Sequence, residues 1–82
     1  MFLLLYKKLD LDSNQLTTLP EPILELKNLQ ELHLSGNGLR TPSESLFELS
    51  DLKTILVSGN PLEKNAKKIL KELENRGVSV SK

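Results

Sequence analysis

Residues 29–39 read LQELHLSGNGL, and the reading of this stretch decides the fold. Leu32, His33 and Leu34 alternate like a short half-buried strand. Gly36 and Gly38 flank Asn37 and should end any regular element there, yet Leu39 returns at once to an apolar side chain. A very short strand, a sharp turn around an asparagine and an immediate leucine cannot bury themselves alone. They call for neighbours of the same kind.

The chain supplies them. At an offset of 23 residues, LDLDSNQL from Leu9, LHLSGNGL from Leu32 and ILVSGNPL from Ile55 fall into one register. Asn14, Asn37 and Asn60 coincide, as do Leu16, Leu39 and Leu62. Upstream, Leu3, Leu26 and Leu49 match, followed by Tyr6, Leu29 and Leu52. One further step from Ile55 and Val57 lands on Val78 and Val80, which makes GVSV a fourth strand-like segment.

This is the pattern L-x-x-L-x-L-x-x-N-x-L, complete over Leu29 to Leu39 and present with Ile and Val substitutions over Leu52 to Leu62. It resembles the leucine-rich-repeat family over nearly the whole chain. LTTLPEPILELKNLQELHL, from Leu16 to Leu34, is similar to the short class whose linker reads L-x-x-L-P-x-x-I. The resemblance implies an α/β solenoid, a right-handed β-α superhelix with a parallel sheet on its concave face and short helices on its convex face. It also implies a single domain over residues 1–82, with a half repeat at 1–8, repeats from 9, 32 and 55, and a capping helix and strand over 64–82.

Stacked units of this kind place their leucines in one continuous core. The turn after each strand then leaves backbone polar groups with no partner in the ladder. An asparagine amide, which both donates and accepts, can satisfy them. Asn14, Asn37 and Asn60 are therefore expected to form a buried ladder, a structural role rather than a functional one.

The linkers differ. LPEPILEL carries two prolines, which disfavour a long helix, so one turn from Pro22 to Leu26 is expected. In the second linker Thr41, Pro42 and Glu44 supply a capping hydroxyl, a proline at the first helical position and a glutamate three residues after the cap. A short helix through Leu49 is expected there. Pro42 stands where the first linker has Leu19, a departure from the family pattern. NPLEKNAKKILKELENRG is amphipathic, with Ala66, Ile69, Leu70 and Leu73 on one face and Lys64, Lys67, Lys68 and Lys71 on the other. Gly77 should stop this helix. The lysines read as a solvated face, because Glu63, Glu72 and Glu74 lie close and no aromatic side chains interleave them.

Composition bounds the remainder. At 82 residues the chain belongs to a size class that buries roughly 60 to 70 % of its unfolded surface, so stability is expected to be marginal. With no cysteine there is neither a disulfide nor a thiolate metal site. Formal net charge is zero, but residues 1–62 hold five basic and eight acidic residues, and 63–82 hold six basic and three acidic. That balance gives little support to nucleic-acid binding. MFLLLYKK lacks the basic start and the cleavage site of a secretory signal, and no stretch approaches a membrane span. A cytoplasmic location is the expectation. Leu4 and Leu5, beside Phe2, occupy positions that later repeats fill with Lys27-Asn28 and Ser50-Asp51, so self-association through Phe2 to Leu5 is expected.

In a fold of this kind function is read from the outward positions of the strands. Lys8, Glu31, Thr54 and Gly77 form one column, Asp10, His33, Leu56 and Ser79 a second, and Asp12, Ser35, Ser58 and Ser81 a third. Adjacent strands lie about 4.8 Å apart, which sets Asp10 beside His33 and Lys8 beside Glu31. His33, Asp10 and the serines do not amount to a hydrolytic triad, since an open sheet offers neither a pocket nor an oxyanion site. One histidine with scattered carboxylates is read as no metal site, and no cofactor is implied. Leu56 is the apolar residue among polar outward ones, a candidate anchor for a protein partner. The expectation is a non-enzymatic protein-interaction module using Lys8, Asp10, Asp12, Glu31, His33, Ser35, Thr54, Leu56 and Ser58. The rival expectation is a C-terminal capping fragment of a longer leucine-rich-repeat receptor, or a vestigial chain, with a structural role only.

Overall fold

The computed structural model describes residues 7–19, 21–41 and 44–82. The half repeat at 1–8 and the apolar segment Phe2 to Leu5 thus lie mainly outside the described residues, as does Pro42. Four strands of three residues each follow one another, β1 (Lys8–Asp10), β2 (Glu31–His33), β3 (Thr54–Leu56) and β4 (Ser79–Ser81). They form a parallel sheet in the order β1-β2-β3-β4.

Register follows the 23-residue repeat across the first three strands, with Lys8, Leu9 and Asp10 opposite Glu31, Leu32 and His33, and these opposite Thr54, Ile55 and Leu56. The ladder continues past the strands. Leu11 and Ser13 donate backbone N–H to the carbonyls of His33 and Ser35, and Leu34 and Gly36 donate to Leu56 and Ser58, all at 2.7–2.9 Å. Consecutive turns are therefore stacked as firmly as the strands.

The inward leucines make the core. Leu29, Leu32, Leu34, Leu39, Leu46, Ile55, Val57 and Leu70 are its largest fully buried side chains. The linkers close it from the opposite side. Two 3-10 helices, Glu21–Glu25 and Glu44–Glu48, contribute Ile23 and Leu46, and Leu26 and Leu49 follow them into the core. In the second linker the expected helix through Leu49 is thus a shorter 3-10 turn. The Thr41 hydroxyl donates to Glu63 at 3.2 Å, across to the next repeat.

The last linker is the one α-helix among the described residues, α1 (Lys64–Asn75), which buries Ala66, Ile69, Leu70 and Leu73. Its end corrects the sequence reading. Gly77 donates to the Glu74 carbonyl and Val78 to the Leu73 carbonyl, both at 3.0 Å, with Gly77 at φ 96°. That is a Schellman motif, which takes up Gly77 and Val78 before any strand can start. β4 consequently pairs two residues later than the repeat predicts, with Ser79, Val80 and Ser81 opposite Thr54, Ile55 and Leu56. Gly77 is a helix stop and leaves the outward columns, and Ser81, not Ser79, neighbours Leu56.

Candidate functional site

The asparagines come first, because their turns carry the outward side chains. Asn37 Oδ1 accepts the N–H groups of Asn14 and Leu16 at 2.9 and 3.0 Å, while its Nδ2 donates to the carbonyls of Leu11 and Leu34 at 3.0 and 2.9 Å. Asn60 repeats this one unit on, accepting from Leu39 at 3.1 Å and donating to Leu34 and Val57 at 2.8 Å. Each amide therefore stitches its own turn to the one before. Asn37 is buried, Asn60 is half-buried, and Asn14 is exposed, its Nδ2 donating to the Asp12 carbonyl at 3.2 Å. The expectation of three buried rungs is corrected to an inner rung, a partly covered one and an open end. No earlier turn lies against Asn14 among the described residues.

Polar outward residues occupy the other face of the sheet. Lys8 and Asp10 are exposed, whereas Asp12, Glu31, His33, Ser35, Thr54, Leu56 and Ser58 are half-buried. Ser35 and Ser58 share a hydroxyl hydrogen bond of 3.1 Å, one strand spacing apart in the third column. Leu56 lies opposite His33 on one side and Ser81 on the other. It belongs neither to the buried core nor to the partly buried apolar residues packed against that core.

Beside Leu56 the structure extends the Asp10–His33 pair expected from strand spacing into a larger cluster. His33 Nδ1 lies 4.0 Å from Asp10 Oδ2, and its Nε2 lies 3.4 Å from Glu31 Oε1. Asp12 joins them, with one ligand-type atom each of Asp10, Asp12 and His33 within 4.8 Å of one another. Turn geometry explains the convergence. Asp12 Oδ1 accepts the Ser35 N–H at 2.7 Å, which draws that carboxylate toward the turn after β2, while Asp10 Oδ1 accepts the Asp12 N–H at 3.0 Å within its own turn. The carboxylates judged scattered in the sequence are gathered here. The usable signal was an Asp-x-Asp at a strand end with a histidine one repeat beyond its first aspartate.

Both ring nitrogens of His33 thus face carboxylates, while the Ser35 hydroxyl faces another serine. Among the described residues of this cluster no base stands beside a nucleophile. A second charged region, the lysine face of α1, is exposed, and the acidic groups around it are engaged elsewhere, Glu63 with Arg40, Glu72 with Arg76 and Glu74 with Lys82.

A family model described as Leucine rich repeat matches residues 7–62, more than half of the chain. The chain belongs to the leucine-rich-repeat family. Curated proteins yield no significant match. Leucine-rich-repeat domains generally mediate protein–protein interaction, and repeat arrays offer extended faces suited to it. Among the described residues no helix is long and apolar enough to cross a membrane.

Proposed function

We propose that this leucine-rich-repeat chain is a non-enzymatic protein-interaction module that engages its partner through the outward, concave face of the sheet. Leu56 carries the reading. An apolar side chain in the middle of an otherwise polar face adds nothing to the core, and Thr54, Ser58, His33 and Ser81 surround it as a polar rim of the kind that shields an interface anchor. The remaining contacts come from Lys8, Asp10, Asp12, Glu31 and Ser35.

Size bounds the affinity. Four strands of three residues each span about 14 Å across, a face much smaller than the ~800 Å² per partner of a standard interface, so the bound area extends onto the turns and the β1 edge. The test compares the full chain with Leu56→Glu in a quantitative binding assay against a captured and purified protein partner. The substitution is expected to weaken binding by roughly thirtyfold or more while circular dichroism and melting stay unchanged. Equal binding by a folded variant places the site elsewhere.

A second reading rests on the N-terminal end of the array. Leu9, Leu11 and Leu16 are only partly buried, while their counterparts Leu32, Leu34 and Leu39 are fully covered. Such an end face favours a chain that stacks against further repeats as their C-terminal piece. The same assay separates the two, since a stacking partner is insensitive to Leu56→Glu and sensitive to Leu9→Lys.

A further inference from the structure

We infer that Asp10, Asp12 and His33 form a binding site for a divalent transition-metal ion of the zinc class, at the β1–β2 end of the sheet face. The donor set is an imidazole with two carboxylates, not an acidic patch alone. Imidazole ligation favours zinc, nickel, cobalt or copper over magnesium and calcium, which prefer oxygen throughout.

Several features prepare these side chains as ligands. Each aspartate has one oxygen committed to a backbone N–H, Asp10 Oδ1 to Asp12 and Asp12 Oδ1 to Ser35. That fixes the carboxylate planes and leaves the second oxygen of each available. The His33 side chain is only 14 % exposed, and Glu31 Oε1 stands at its Nε2. With the proton on Nε2 donated to Glu31, the Nδ1 lone pair faces Asp10. A ligating histidine usually shows this same outer partner, which fixes its tautomer and raises its basicity.

Distances permit the ion after a small closure. The donor atoms lie within 4.8 Å of one another, whereas an ion holding nitrogen and oxygen at about 2.0–2.2 Å draws them roughly an ångström closer. Charge points the same way. Among the described residues neither lysine nor arginine pairs with Asp10, Asp12 or Glu31, so three carboxylates surround one imidazole without a fixed cation. Three protein ligands leave a coordination position for water, or for a donor from a bound partner. This inference stands independently of the partner reading.

His33 is the single histidine and the chain has no cysteine, so the experiment reads one imidazole. The 82-residue chain is titrated with zinc chloride while the His33 ring nitrogens are followed by NMR. The expected result is a saturable shift at Nδ1 with one ion per chain, unchanged by a matching excess of magnesium. Asp10→Asn and Asp12→Asn, each checked for folding, are expected to lower affinity more than tenfold. Glu31→Gln, which touches only the far side of the ring, is expected to weaken it about 10- to 100-fold. Three results overturn the proposal: ring resonances unmoved at millimolar zinc, binding through Nε2, or equal affinity in a folded Asp10→Asn chain, which would reduce the uptake to adventitious binding at a surface histidine.

Discussion

The first and second turns of this chain carry the same motif and meet different surroundings. LDLDSNQL and LHLSGNGL match position for position in their leucines and asparagine. In the second, Leu32, Leu34 and Leu39 are inaccessible to water and Asn37 bonds five backbone groups of two turns, those of Asn14, Leu16, Leu11, Leu34 and Ser35. In the first, Leu9, Leu11 and Leu16 remain half-buried and Asn14 is exposed. Burial in such an array is therefore conferred by the neighbouring unit, as nearest-neighbour stacking requires. Backbone strain follows the same division. Gly36 and Gly59 take their left-handed conformations, at φ 69° and 73°, without a side chain to object, whereas Ser13 holds the equivalent position at φ 59°.

The largest effect that separates the two turns is expected in the core. Leu34→Ala removes a fully buried side chain and should cost about 2–5 kcal/mol, enough to unfold much of a marginal domain. Leu11→Ala, at the matching half-buried position, should cost well under half as much. Urea denaturation of the pair would break the comparison if both losses proved equal.

Next come the asparagines. Asn37→Ala leaves backbone groups of two turns without partners and should cost about 1–3 kcal/mol. Asn14→Ala should stay within about 0.5 kcal/mol, as expected of an exposed position. Thermal unfolding checks both, and a costly Asn14 would mean that a further turn covers it in solution.

Smaller, and opposite in sign, are the backbone substitutions. A Cβ on Gly59 would stand 3.2 Å from the Gly36 backbone nitrogen, which cannot yield as a side chain would. Gly59→Ala should destabilise by at least 1–2 kcal/mol or so, the usual penalty for that conformation. Ser13→Gly relieves the same conformation in the first turn and should stabilise by a few tenths of a kcal/mol, the gain being limited by the extra freedom glycine has in the unfolded chain. Melting midpoints moving in the same direction would contradict the strain argument.

Much of this arrangement was legible in the residues. The 23-residue offset set the register of β1, β2 and β3, because every inward leucine and the turn asparagine had to recur together. The faces of α1 followed from helical spacing, and the outward position of Leu56 from strand alternation. β4 escaped, since the repeat carries no sign that Gly77 and Val78 are consumed by a helix stop. The exposure of Asn14 escaped as well, because a motif states what a residue can bond and not whether a neighbour is there to be bonded. Convergence of Asp12 on His33 was hidden for a related reason. It depends on a side-chain bond to Ser35 across the turn, which column spacing does not contain.

Amide hydrogen exchange at Asn14 and Leu16 tests most directly the claim that order in one turn is supplied by the next. Both N–H groups donate to Asn37 Oδ1, more than twenty residues along the chain. In Asn37→Ala, measured where the chain remains folded, their protection should fall about tenfold while the β3 amides keep their relative protection, a loss of roughly 1.4 kcal/mol confined to the stitched turns. Unchanged protection at Asn14 and Leu16 in that variant would contradict the account.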